Sequence, residues 1–161
     1  MSAIFKGRPV VAGSVAAECV VSRQGVNTLA TFQKSALKKA KCVISSDQNN
    51  PDLFGKNLTG KILCLPRTIG STTGGLVLQT VCDMGIAPAA LLFSESIDSL
   101  AAAGVILAKV WDNSPIIAVD RLGPEFLAAV KSGMKVQVDA DGTVTILEND
   151  GALAGVFGSK E

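Results

Sequence analysis

Three consecutive hydroxyls, Ser71, Thr72 and Thr73, stand between Gly70 and the pair Gly74-Gly75, with Arg67 three residues before Gly70. Hydroxyls beside glycines suit two kinds of chemistry. Their oxygens cap a helix start, and the unpaired backbone N–H groups there attract an anion. A guanidinium such as Arg67 offers a bidentate fork to a carboxylate or phosphate, although an exposed arginine with no such role is equally compatible with the sequence. The flanking residues supply what must hold such a loop. Lys61-Ile62-Leu63-Cys64-Leu65 is a short apolar run stopped by Pro66 and predicts a strand. Leu76, Val77, Val81 and Met84 recur at helical spacing and predict a helix over 74–84. Ser71, Thr72 and Thr73 are thus expected at a helix N-terminus.

Several enzymatic readings of that loop fail on residue type. A phosphate loop of the Walker kind needs a lysine after its second glycine, and position 76 is Leu. A dinucleotide fold needs its glycines at the first strand and an acid after the second, and neither is so placed. The chain has no histidine, which removes a self-contained Ser-His-Asp or Cys-His hydrolase. Any proton transfer must use a hydroxyl, a carboxylate, a lysine or a group from another chain. Cys19, Cys42, Cys64 and Cys82 are scattered without a C-x-x-C pair, so no metal site is expected in this chain, and Cys64 and Cys82 fall in apolar patterns that read as core. Asp47, Asn49 and Asn50 read as turn formers rather than ligand contacts, and Trp111 as a residue packing over a strand end.

Length and composition set the frame. At 161 residues, 48% hydrophobic and 18% charged, the chain suits one globular α/β domain, expected over residues 1–150 with a loosely ordered tail at 151–161. Fifteen basic against fourteen acidic residues leave a net charge of +1, and the single basic cluster, Lys34, Lys38, Lys39 and Lys41, reads as a solvated helix face. Nucleic-acid binding is not expected. The longest apolar stretch, Leu100 to Ala108, is about half of a membrane span, and the N-terminus lacks a secretion signal, so the expectation is a cytoplasmic protein with no membrane contact.

Along the chain, two strands are expected within 7–21, a short helix over 31–40, a strand over 42–44 and a polar loop over 45–52. A βαβα rhythm follows, with strand 61–65, helix 74–84, strand 89–93 and a helix near 97–103. Strand 116–119, a helix over 124–131 opened by Pro124, and a hairpin of 135–139 with 143–147 complete the reading.

The ordered motifs Gly7-Arg8-Pro9-Val10-Val11-Ala12-Gly13, Leu58 to Pro66, Gly70 to Gly75, Gly85 to Ala90 and Ala101 to Ala108 resemble the small subunit, or swivel domain, of the aconitase X family over residues 7–123. The resemblance implies a swivelling β/β/α domain, a mixed sheet or barrel flanked by helices. It also implies a hydro-lyase subunit that is inactive without a large aconitase-X-type partner. That partner carries an iron-sulfur cluster or iron, and this chain binds none alone. Gly70-Ser71-Thr72-Thr73 is similar to the superfamily loop whose first serine, as alkoxide, removes the substrate proton. This implies a catalytic Ser71, with Gly70, Thr72, Thr73 and Arg67 as contacts for a small carboxylate substrate. Thr72 and Thr73 stand where the wider superfamily has Ser and Arg. The implied activity is dehydration of cis-3-hydroxy-L-proline, with mevalonate 5-phosphate as the alternative. A non-enzymatic anion-binding or interaction module is the alternative of another class.

Overall fold

The computed structural model describes residues 2–70, 73–111 and 116–147; the side chains of Ser2 and Trp111 are outside the description. Ten strands and four helices alternate in chain order among the described residues: β1 Ser2–Lys6, β2 Arg8–Val11, β3 Val15–Val21, β4 Val26–Asn27, α1 Thr28–Leu37, β5 Ile62–Leu65, β6 Thr68–Ile69, α2 Thr73–Asp83, β7 Ala90–Phe93, α3 Ser99–Trp111, β8 Ile117–Asp120, α4 Pro124–Ala129, β9 Lys135–Val138 and β10 Thr143–Leu147. Eight strands form one sheet in the order β1-β10-β9-β3-β5-β7-β8-β2. Its centre, β3-β5-β7-β8, is parallel, and both flanks are antiparallel. The two outermost strands, β1 and β2, are consecutive in sequence, so the sheet curls into a nearly closed barrel.

Alternation along the strands decides where each side chain goes. In β5 and β7 all four residues are buried, as strands covered on both faces must be. Ile62, Cys64, Ala90 and Leu92 point into a barrel core with Val136, Val138, Val144 and Phe126. Leu63, Leu65, Leu91 and Phe93 point outward to a second core under the helices, with Phe32, Leu78, Val81 and Val105. Helix α4 plugs the barrel through Phe126, whose ring meets Phe5 edge-on at 5.4 Å. No helix among the described residues is long and apolar enough to cross a membrane.

The α/β class, the mixed barrel-like sheet flanked by helices and the final hairpin agree with the sequence reading. Four expectations need correction. Residues 42–44 form no strand: Ile44 makes one isolated antiparallel bridge to Asn57, because Ser35 takes the Ile44 N–H and Thr59 takes the Val43 N–H. The first helix runs Thr28–Leu37 instead of 31–40, because Asn27 caps it. The α3 helix continues to Trp111, well past Ala103, while α4 stops at Ala129.

Candidate active site

The central parallel strands β5, β7 and β8 end side by side at Leu65, Phe93 and Asp120. In open parallel sheets this carboxyl edge is where ligands bind. Here it opens into a groove of about 840 Å³ lined by Arg23, Gly25, Pro66, Arg67, Glu95 and Leu127. Pro66 turns the chain out of β5, and Thr68-Ile69 then pairs in parallel with Val26-Asn27 as a two-stranded ribbon. Asp98 fixes the ribbon to the next helix. Its carboxylate accepts from the Thr68 N–H at 2.8 Å and from the Thr68 hydroxyl, and it caps α3 by accepting from the Ala101 N–H at 3.2 Å.

From this ribbon the chain passes through Gly70, whose φ of 109° lies outside the range of ordinary L side chains. A Cβ at Gly70 would also meet the Asn27 carboxamide at 2.8 Å. Ser71 and Thr72 lie outside the described residues. Thr73 is the first residue of α2 and is exposed, with no acidic residue in the first turn of that helix. At Gly74 a Cβ would collide with the Thr28 hydroxyl, so glycine lets the starts of α1 and α2 approach each other.

Arg67 is half exposed, and its Nη1 donates to Glu95 Oε2 at 3.0 Å across the groove. Arg23 is committed elsewhere: its guanidinium donates to the Leu127 carbonyl and, at 2.9 Å, to the Val130 carbonyl at the end of α4. Asp120 is wholly buried, receives Arg8 in a bidentate pair at 2.9 and 2.7 Å, and accepts the Ile97 N–H at 2.7 Å. That pairing holds the Arg8 guanidinium still more firmly protonated than usual.

Arg67, Gly70 and Thr73 lie between the end of β5 and the start of α2, and Arg67 already has an acidic partner. The sequence reading missed Asn27, Thr28, Glu95 and Asp98. Asn27 before Thr-Leu-Ala and Asp98 before Ser-Leu-Ala were readable cap signals; nothing local signals Thr28 or Glu95. Asp47 and Asn49 behave as turn formers, Asp47 Oδ1 accepting the Asn49 N–H at 2.9 Å.

The described residues do not fit an iron centre. Among the described residues no three His, Cys, Asp or Glu side chains gather. Cys19, Cys64 and Cys82 are buried in the two cores, and burial pushes the Cys64 thiol up, away from the thiolate a metal requires.

Comparison with known proteins decides the lineage. The family model for the aconitase X swivel domain matches residues 4–146. The chain belongs to that family. Among curated relatives, the swivel domain is 33% identical over 145 residues to the phosphomevalonate dehydratase small subunit of Pyrococcus furiosus, covering 89% of this chain and 95% of that protein. It is 34% identical over 146 residues to the protein of the same name from Thermococcus kodakarensis, covering 90% and 97%. The crystal structure of T. kodakarensis aconitase X in its holo-form superposes with a TM-score of 0.76 at 33% identity, covering 91% of this chain and 99% of the other. A solution structure of a UPF0107 protein gives 0.71 at 27% identity, covering 91% and 100%. The aconitase X swivel fold is thus the architecture that carries the Gly70 junction.

Proposed function

We propose that this swivel domain is the small subunit of a two-subunit dehydratase and that Ser71 is the base that removes the proton α to the substrate carboxylate. The observation that carries the reading is the junction itself. The chain leaves the carboxyl edge of the parallel sheet through Gly70 and enters α2 without an acidic residue in its first turn. A serine without a histidine acts as a base only if its oxyanion is stabilised, and a helix start supplies N–H groups and a positive dipole end for that. The reaction takes a β-hydroxy acid. As alkoxide, Ser71 Oγ accepts the α proton, the C–H electron pair becomes the new C=C bond, and the β-hydroxyl leaves as water with a proton from an acid of the large subunit. Any iron centre belongs to the large subunit in this reading.

The relatives' name puts mevalonate 5-phosphate first as substrate. One observation favours cis-3-hydroxy-L-proline as the second. Both groove arginines already have partners, Arg67 in Glu95 and Arg23 in two carbonyls, so this chain presents no unmatched guanidinium from that pair to a phosphoryl group. The test is reconstitution with the large subunit and assay of both hydroxy acids. Ser71→Ala is expected to lower kcat by about 10²–10⁴ with KM little changed. Full activity in that variant would remove Ser71 from the base role. Failure to bind any large subunit would leave an anion-binding module as the better account.

A further inference from the structure

The Gly70 junction is flanked by a second helix start. Asn27 lies opposite Ile69 in the parallel β4–β6 ribbon; β4 runs straight into α1, of ten residues, and β6 ends one residue before Gly70, with α2, of eleven residues, beginning at Thr73. Neither helix has an acidic residue in its first turn. Asn27 Oδ1 accepts the Ala30 N–H at 3.0 Å and so caps α1. The same carboxamide covers Gly70: a Cβ there would stand 3.1 Å from Asn27 Nδ2. Thr28 is 3% exposed, and its hydroxyl has no hydrogen-bond partner among the described residues. That hydroxyl faces Gly74 in the first turn of α2, where the Leu29 nitrogen also lies 3.5 Å from the position of a Cβ. Gly70 before Ser71 and Gly74 in the first turn of α2 are thus each covered by a side chain from the start of α1. A buried hydroxyl with no partner is a cost unless something outside the chain uses it.

We propose that the first turn of α1 is the second half of an anion site. Asn27 Nδ2, the Thr28 hydroxyl and the helix-start N–H groups would receive the carboxylate of the hydroxy acid beside the start of α2. The identity of that anion rests on the dehydratase reading; the existence of the site does not. Two neighbouring helix starts provide partial positive charge and N–H donors without a lysine or arginine. Such a site suits a planar carboxylate. Asn27 also acts as a positioning residue, because the group that would touch the anion is the group that packs on Gly70.

The discriminating variant is Asn27→Asp, since Asp caps a helix as well as Asn but replaces the amide donor with a like charge. In the reconstituted complex Asn27→Asp is expected to raise KM at least about tenfold with an unchanged melting temperature. Thr28→Val should raise KM about two- to tenfold, and Thr28→Ser should restore it. An Asn27→Asp complex with KM within about twofold of the parent overturns the proposal and leaves the Ser71 reading standing. If the parent complex dehydrates neither hydroxy acid, the dehydratase reading fails, and titration of the full chain with acetate decides this site alone. Saturable shifts of the Leu29, Ala30 and Gly74 amides that disappear in Asn27→Asp support it. Absence of saturable shifts overturns it.

Discussion

Two junctions carry the chain from the carboxyl edge of the sheet into a helix through a glycine of positive φ, Gly70 at 109° before α2 and Gly123 at 94° before α4. They differ in what satisfies the helix start. At α4 the chain closes itself: Pro124 has no N–H to offer, Glu125 brings its own negative charge, and the helix is only six residues long. The nearby Asp120 is saturated by Arg8 and the Ile97 N–H, and Arg23 ties down the far end of α4. At α2 the first turn holds no acid, and a second helix start lies alongside with a hydroxyl unpaired among the described residues. One backbone device thus serves two ends. Where the chain supplies its own anions the junction is architecture, and where the first turn holds none it leaves room for the substrate anion proposed above.

Substituting the two glycines tests that contrast most strongly. Gly70→Ala and Gly123→Ala each force a side chain into a left-handed conformation and should cost about 1–2 kcal/mol in denaturant unfolding. Only Gly70→Ala should also lower kcat in the reconstituted complex, by more than about tenfold, because it displaces the residue before Ser71. At Gly123 a Cβ would meet only the end of the Glu125 side chain at 3.1 Å, which can swing aside. Comparable loss of activity in both variants would erase the distinction between the junctions.

A smaller effect is expected at the rim. Arg67 and Glu95 are each 51% exposed, so their pairing contributes less than about 1 kcal/mol, and Glu95→Gln should leave the unfolding midpoint nearly unchanged. It releases the guanidinium, however. If Arg67 faces the substrate, Glu95→Gln should lower KM for mevalonate 5-phosphate about two- to fivefold and do less for cis-3-hydroxy-L-proline, which carries no phosphoryl group. Equal KM changes for both substrates would confine Arg67 to a structural pairing.

How much of this contrast is written locally in the chain depends on the range of the interactions. The strand–glycine–helix order around Gly70 is legible, because apolar periodicity and Pro66 act over neighbouring residues. Pro124 likewise marks a helix start by its own geometry. The two-residue strands β4 and β6 carry no periodicity at all; they exist because Val26 finds the Arg67 carbonyl some forty positions away. For the same reason Asn27 and Thr28, which stand against Gly70 and Gly74, gave no sequence sign of belonging to the site. The strand expected over 42–44 failed in the opposite way: its residues are apolar enough, but Ser35 and Thr59 take the backbone groups that a ladder would need.

The last test extends the self-satisfied pattern of the α4 side to the β9–β10 turn. Asp141 has its carboxyl lowered to about 2, chiefly by the Thr143 hydroxyl, then by the Thr143 N–H at 3.0 Å and by Lys6, whose Nζ lies 3.1 Å away. A carboxyl depressed on folding contributes stability that is fully present above its unfolded pKa near 4 and is lost as pH falls through about 2. Asp141→Asn should therefore lower the urea midpoint slightly at pH 7, and the gap from the parent should narrow from about pH 4 downward. The group is fully exposed, so the shift is the smallest of the series. Its sign still matters. A gap that stays constant from pH 7 to pH 2.5 would mean that the turn does not depend on the ionised carboxylate and does not share the pattern of the α4 junction.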